Sequence, residues 1–130
     1  LVVIDIDHFK MINDNYGHPV GDKALKLVSK CLYSQIRKKN AVGRFGGEEF
    51  LLVLPGETLE TSKQLAERIR KAIQELEIDA NGETIRVTAS MGISEARPDE
   101  DEYHPTVKRA DEALYEAKNS GRNSVVVYQD

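Results

Sequence analysis

Four carboxylates carry the chemistry that this sequence offers: Asp5 and Asp7 at the end of LVVIDID, and Glu48 and Glu49 within VGRFGGEEFLLVL at residues 42–54. Alternate residues of a strand share a face, so Asp5 and Asp7 lie on one side where the first strand ends. Glu48 and Glu49 follow Gly46 and Gly47 at a second strand end, and they point opposite ways unless the turn is bulged. If the two strand ends are neighbours, Asp5 and at least one glutamate converge. Clustered carboxylates repel and raise one another's pKa unless they share a cation. Mg²⁺ suits such a group, because it takes one or two carboxylates and completes its octahedron with phosphate oxygens and water. The plainer alternative makes the aspartates helix caps and the glutamates solvated turn residues. Two such motifs at strand ends in one small domain favour the shared cation.

The elements that must position these acids follow from the apolar pattern. Residues 1–7 form a β-branched run that reads as a buried strand. Asp7 is expected to cap a short helix, HFKMINDNYG, that closes at Gly17. Pro19 and Gly21 mark a break, and Asp22 is expected to cap a second helix with Leu25, Val28, Leu32 and Ile36 on one face. A hairpin of residues 41–45 and 49–54 is predicted around a two-residue Gly46-Gly47 turn of the primed type. A long helix over residues 59–76 turns Leu65, Ile69, Ile73 and Leu76 inward, and one strand is predicted over 84–94. After the acidic loop RPDEDEYHP comes a helix with Val107, Ala110, Leu114 and Ala117 on one face, ended by Ser120-Gly121. SVVVY makes the last strand. This order predicts an α/β (α+β) fold with a mixed, largely antiparallel central sheet flanked by helices.

Composition sets the outer bounds. The 130 residues suffice for one domain with one core. A chain 40% hydrophobic and 31% charged is globular, and its net charge of −4 speaks against a nucleic-acid partner. Its apolar runs are too short to span a bilayer, so no membrane contact is expected of the domain. Cys31, the single cysteine, is expected to be a reduced thiol in a helical face. The chain opens inside a strand without an initiator Met, so residues 1–130 are expected to be a single domain excised from a longer protein.

GGEEF at residues 46–50 resembles the signature of the GGDEF family, the diguanylate cyclases. DIDHFKMIND, GHPVGD, ASMGIS and ADEALYEAKNSGRNSV match the family pattern in order, across nearly the whole chain. The resemblance implies a fold like the palm of polymerases and the catalytic core of adenylate cyclases. It implies condensation of two GTP into cyclic di-GMP and pyrophosphate, with Mg²⁺ or Mn²⁺, two ions at each half-site. Asp5, the backbone carbonyl of Ile6, Glu48 and Glu49 match the metal-binding positions. Glu48, Glu49 and Lys10 match the catalytic ones, and Gly46 and Gly47 let the turn approach the nucleotide. His8, Phe9 and Lys10 at the start of the first helix, with Lys118 and Arg122, match the phosphate site. Asn13 and Asp22 match the guanine-reading pair, with His18 nearby. Guanine offers N1–H and its amine side by side to one carboxylate, whereas adenine would leave that carboxylate unsatisfied.

Two departures from the pattern stand out. Where many members carry Arg-x-x-Asp before the signature, this chain has Arg37-Lys38-Lys39-Asn40, and a neutral amide cannot orient an arginine as a carboxylate does. Weak or absent feedback inhibition by cyclic di-GMP is the expectation; Arg37 and Arg68 read either as part of such a degenerate site or, by a small margin, as solvated helix charges. The family's lead-in helix and segment are missing, so the fragment alone is expected to be weak or inactive. The resemblance further implies a homodimer, an upstream sensor or dimerisation domain, and a cytoplasmic location. Two rival readings are a catalytically inactive GTP-binding module of the same family and a palm-type nucleotidyltransferase acting on nucleic-acid ends.

Overall fold

The computed structural model describes residues 1–130. Its elements are β1 (Val2–Ile6), α1 (Phe9–Tyr16), α2 (His18–Gln35), β2 (Ala41–Arg44), β3 (Glu49–Val53), α3 (Leu59–Gln74), β4 (Ile78–Ala80), β5 (Glu83–Ile85), β6 (Ala89–Ile93), α4 (His104–Asn119) and β7 (Val125–Val127). Five strands form one sheet in the order β2-β3-β1-β6-β7, and β4 pairs with β5 alone. Neighbours in the sheet are antiparallel except β6 and β7, which are parallel and joined through α4, the crossover that a parallel pair requires. The largely antiparallel architecture expected from the sequence is the one observed. No helix is long and apolar enough to cross a membrane.

The central strand is buried along its whole length, and its alternation sorts two layers. Val2, Ile4 and Ile6 enter the large core with Leu25, Val28 and Leu32 of α2, Ala66, Ile69 and Ile73 of α3, and Phe50 and Leu52 of β3. Each of these side chains larger than alanine contributes roughly 1.5–3 kcal/mol on burial. Val3 faces the other way, against Ala110 and Leu114 of α4, with Leu1 and Leu51 at the margin. Gly92 of β6 lies opposite Val3. A Cβ there would stand 2.1 Å from the Ala110 carbonyl oxygen and 2.4 Å from the Leu114 nitrogen, so α4 rests directly on the strand backbone. Asp5 continues the Val3 face toward the C-terminal end of α4.

Several local expectations are corrected. Asp7 does not cap α1; the N-cap is His8, in a left-handed conformation with no side-chain cap, while Asp7 turns inward and is buried. Asp22 is no cap either, because α2 begins at His18 and Asp22 falls within it. Pro19 occupies the first turn, where no amide hydrogen is needed, and Gly21 stays helical. Gly21 is dictated by packing: a Cβ would lie 1.8 Å from Asn13 Oδ1 and 3.2 Å from Phe9 Cζ. The hairpin tip is longer than two residues, closing with Phe45 N–H donating to the Glu49 carbonyl at 2.6 Å. Only Gly46 has positive φ, at 84°, so the turn is not of the primed type.

The predicted strand over 84–94 is two strands, and β4 had no counterpart in the sequence reading. Its signal is Asn81-Gly82, both left-handed at φ 56° and 92°, as a two-residue hairpin turn requires. Cys31 is free and buried, and burial pushes its thiol pKa up.

Candidate active site

Asp5 and Glu49 are directly paired across β1 and β3, and the Ile6 amide donates to the Glu48 carbonyl at 3.3 Å. The two strand ends are therefore adjacent. Directly opposed residues share a face, so Asp5 and Glu49 both look toward α4, continuing the Val3 and Leu51 rows. Lys118 stands one turn beyond Leu114 on that helix, and its ammonium donates to Asp5 Oδ2. Asp111, two turns before Lys118, joins the same charged group. Glu48 is half-buried at the tip, close enough for its charge to act on both Asp5 and Glu49.

The electrostatics of this group are unbalanced. Burial pushes the Asp5 carboxyl up, Lys118 pulls it down, and Glu48 and Asp7 push it up again. Glu49 is raised by burial first, then by Asp5 and Asp111, with Lys118 opposing. Asp111 is raised by burial, again against Lys118. One ammonium thus offsets three acids, Asp5, Glu49 and Asp111. Asp5 Oδ1 is buried and has no hydrogen-bond partner. An orphaned carboxylate oxygen beside Glu48 and Glu49 fits a hard cation, which would supply the missing ligand and relieve the repulsion. No three acidic, His or Cys side chains yet converge as a ready-made ligand set, and Lys118 holds one Asp5 oxygen.

The tip is braced by a residue that the sequence reading did not single out. Arg44 donates from Nε and Nη2 to the Gly47 carbonyl at 3.1 and 2.8 Å. Asp111 was likewise passed over, although its spacing from Lys118 by seven residues puts both on one helix face. The residues expected to bind phosphate stand at the start of α1 and at the end of α4 and just beyond it. The uncapped start of α1 leaves the amides at Phe9 and Lys10 without a side-chain acceptor. Lys10 and Arg122 are exposed and Lys118 is half-buried.

Asn13 and Asp22, the residues expected to read the base, both lie next to Gly21. Asn13 packs against it with Oδ1 buried and unpartnered. Asp22 is exposed and borders a cleft of about 450 Å³ floored by Leu25, Val42 and Phe50, with Ser29 and Arg44 on its walls. Asn13 does not line that cleft, and His18 is exposed at the first residue of α2. In the third expected group the Asn40 backbone amide donates to the Arg37 carbonyl at 3.0 Å, and Arg68 meets Gln35, two residues before Arg37. Arg68 donates to Gln35, to its side chain at 2.9 Å and its carbonyl at 3.1 Å, which closes the end of α2. Arg37 is exposed, and Asn40 keeps its Oδ1 buried without a partner.

Residues 1–124 match the family described as "Diguanylate cyclase, GGDEF domain". The chain belongs to the GGDEF family. Diguanylate cyclase DgcP of Pseudomonas aeruginosa is 44% identical over 127 residues, covering 98% of this chain and 19% of that protein. The GGDEF domain of DgcB from Caulobacter crescentus, solved in complex with c-di-GMP, superposes with a TM-score of 0.94 at 33% identity, over 99% of this chain and 77% of that one. The active GGEEF domain of a diguanylate cyclase from Vibrio cholerae gives 0.90 at 37% identity, over 99% and 81%. The chain spans between 19% and 38% of the length of the first three curated relatives. Membership brings the palm-like fold and a dependence on divalent metal, which the orphaned oxygen of Asp5 suits.

Proposed function

We propose that this GGDEF domain is the catalytic unit of a diguanylate cyclase, joining two GTP into cyclic di-GMP with release of pyrophosphate. The observation that carries the reading is the Asp5–Glu49 pairing at the glycine tip, with one Asp5 oxygen left without a partner. Asp5, Glu48, Glu49 and the Ile6 carbonyl would hold two Mg²⁺ ions, which when bound polarise the α-phosphate and steady the departing pyrophosphate. The amides at the start of α1, with Lys10, Lys118 and Arg122, bind the triphosphate. Asn13 and Asp22 read guanine, with His18 beside them. An acid of the Glu48–Glu49 pair takes the proton of the attacking 3′-hydroxyl as the new O–P bond forms and the bond to pyrophosphate breaks.

One domain holds one GTP, so two copies must face each other to bring a 3′-hydroxyl to the other α-phosphate. This implies a homodimer governed by further segments of the parent protein, with the domain on the cytoplasmic side. Arg68 is engaged by Gln35 and Asn40 is neutral, which supports weak product feedback. Incubating the protein that carries this domain with GTP and Mg²⁺ should yield cyclic di-GMP and pyrophosphate. A folded dimer that forms neither would refute the reading. The hold of Lys118 on Asp5 favours a second reading, a GTP-binding module without turnover. Calorimetry showing GTP uptake with no product would select it.

A further inference from the structure

Asp7 is assigned no ligand or substrate contact in the site, yet it is 5% exposed and ringed by donors from two other segments. Thr88 Oγ1 donates to its Oδ2 at 2.7 Å, Ser90 Oγ to its Oδ1 at 2.7 Å, and the backbone amide of Asn123 to its Oδ2 at 3.0 Å. Its own amide donates to the Thr88 carbonyl at 2.9 Å. A buried carboxylate satisfied wholly by hydroxyls and one amide is a structural joint, and the joint's third arm is unusual. After α4 the backbone stays left-handed for three residues, Gly121, Arg122 and Asn123, at φ 110°, 63° and 45°. The Arg122 amide closes the helix onto the Ala117 carbonyl at 3.0 Å. Glycine adopts this conformation freely, but two consecutive side-chain-bearing residues hold it only when their surroundings impose it.

The surroundings that impose it are identifiable. Asp7 grips the Asn123 amide from inside, and Arg70 of α3 donates to Asn123 Oδ1 at 3.0 Å from outside. Arg122 lies between this clamp and the end of α4. Asp7 is two residues from Asp5, so the clamp ties the α4–β7 turn to the strand end that bears the acids. We infer that Asp7 is a positioning residue: through Asn123 it holds the left-handed turn that sets Arg122 at the phosphate site. This rests on the reading of Arg122 as a phosphate ligand.

The test is a double-mutant cycle on the holoprotein with Mg²⁺, in which calorimetry reads affinity for GTP and competition against GTP reads guanosine. Asp7→Ala should weaken GTP roughly tenfold or more and leave guanosine unchanged. Asp7→Asn, which keeps an oxygen toward the Asn123 amide, should restore most of the loss. Asp7→Ala combined with Arg122→Ala should be no weaker than Arg122→Ala alone, because both remove one function. Additive losses, or an equal loss for guanosine, would overturn the inference and leave the phosphate reading intact. An Arg122→Ala protein with unchanged GTP affinity would overturn both. Should Asp7→Ala fail to fold, Arg70→Ala carries the same cycle, since it opens the clamp on Asn123 from the other side and leaves the carboxylate in place.

Discussion

Gly92 and Gly47 sit in two stretches that match the family pattern, ASMGIS and GGEEF, and they are there for opposite reasons. At Gly92 a Cβ would collide with the backbone of α4, which cannot yield. At Gly47 a Cβ would enter open space, and the residue has no positive φ to require glycine. The first keeps a helix seated on the sheet. The second keeps a tip bare, and nothing within the folded chain accounts for it. The close approach of a nucleotide, proposed for this tip, would supply the reason that the fold does not.

Substitutions can break or sharpen this contrast, beginning with the tip. Glu48→Gln should lower cyclic di-GMP formation roughly 10²–10⁴-fold while the melting temperature holds or rises, since one of several repelling acids is neutralised. A fall in stability instead would mean the acids serve the fold. Gly92→Ala should lower the melting temperature by roughly 10 °C or more, read by thermal denaturation, because overpacking meets backbone on both sides. Gly21→Ala tests an intermediate case, in which the obstacle is the Asn13 side chain. There GTP affinity should fall about tenfold with discrimination against ATP reduced, measured by calorimetry. Gly47→Ala should leave stability within about 0.5 kcal/mol yet lower turnover. Unchanged turnover there would remove the case for close approach of the nucleotide.

The packed region also has its own pH signature. Glu100 is held down to about 2, from an ordinary 4.5, chiefly by its hydrogen bonds to Arg109 on α4. A carboxyl with a lowered folded pKa stabilises the fold fully above its unfolded value, and that contribution is lost as pH falls through about 2. Melting curves of the parent and Glu100→Gln should differ at neutral pH and converge in strong acid.

How much of this was legible beforehand depended on whether the signal was periodic or three-dimensional. The α4 face of Val107, Ala110, Leu114 and Ala117 is buried as its spacing required, and the Asp5–Glu49 encounter followed from strand alternation once the two ends were neighbours. The caps were misassigned because Asp7 and Asp22 are good N-cap types, but tertiary partners claimed Asp7 and α2 began earlier. Gly21 reads as a helix breaker until Asn13 is seen pressing on it. The β4–β5 hairpin was readable in Asn81-Gly82 and was overlooked beneath the longer apolar run that follows. Asp111 lies inside the matched stretch ADEALYEAKNSGRNSV and Arg44 just before the signature, yet only the approach of α4 to β3 and the path of the tip give them a role.

The one-to-one match of Asp5 with Glu49 also dictates how this domain can vary in length. A strand has only two settings, so adding or deleting a single residue between Glu49 and Leu52 would send the glutamate into the greasy layer under α2 and α3. Stretches outside the sheet are not bound by that rule. Inside β3 the count obeys parity, and an odd change disarms the domain even where every residue of the signature is kept.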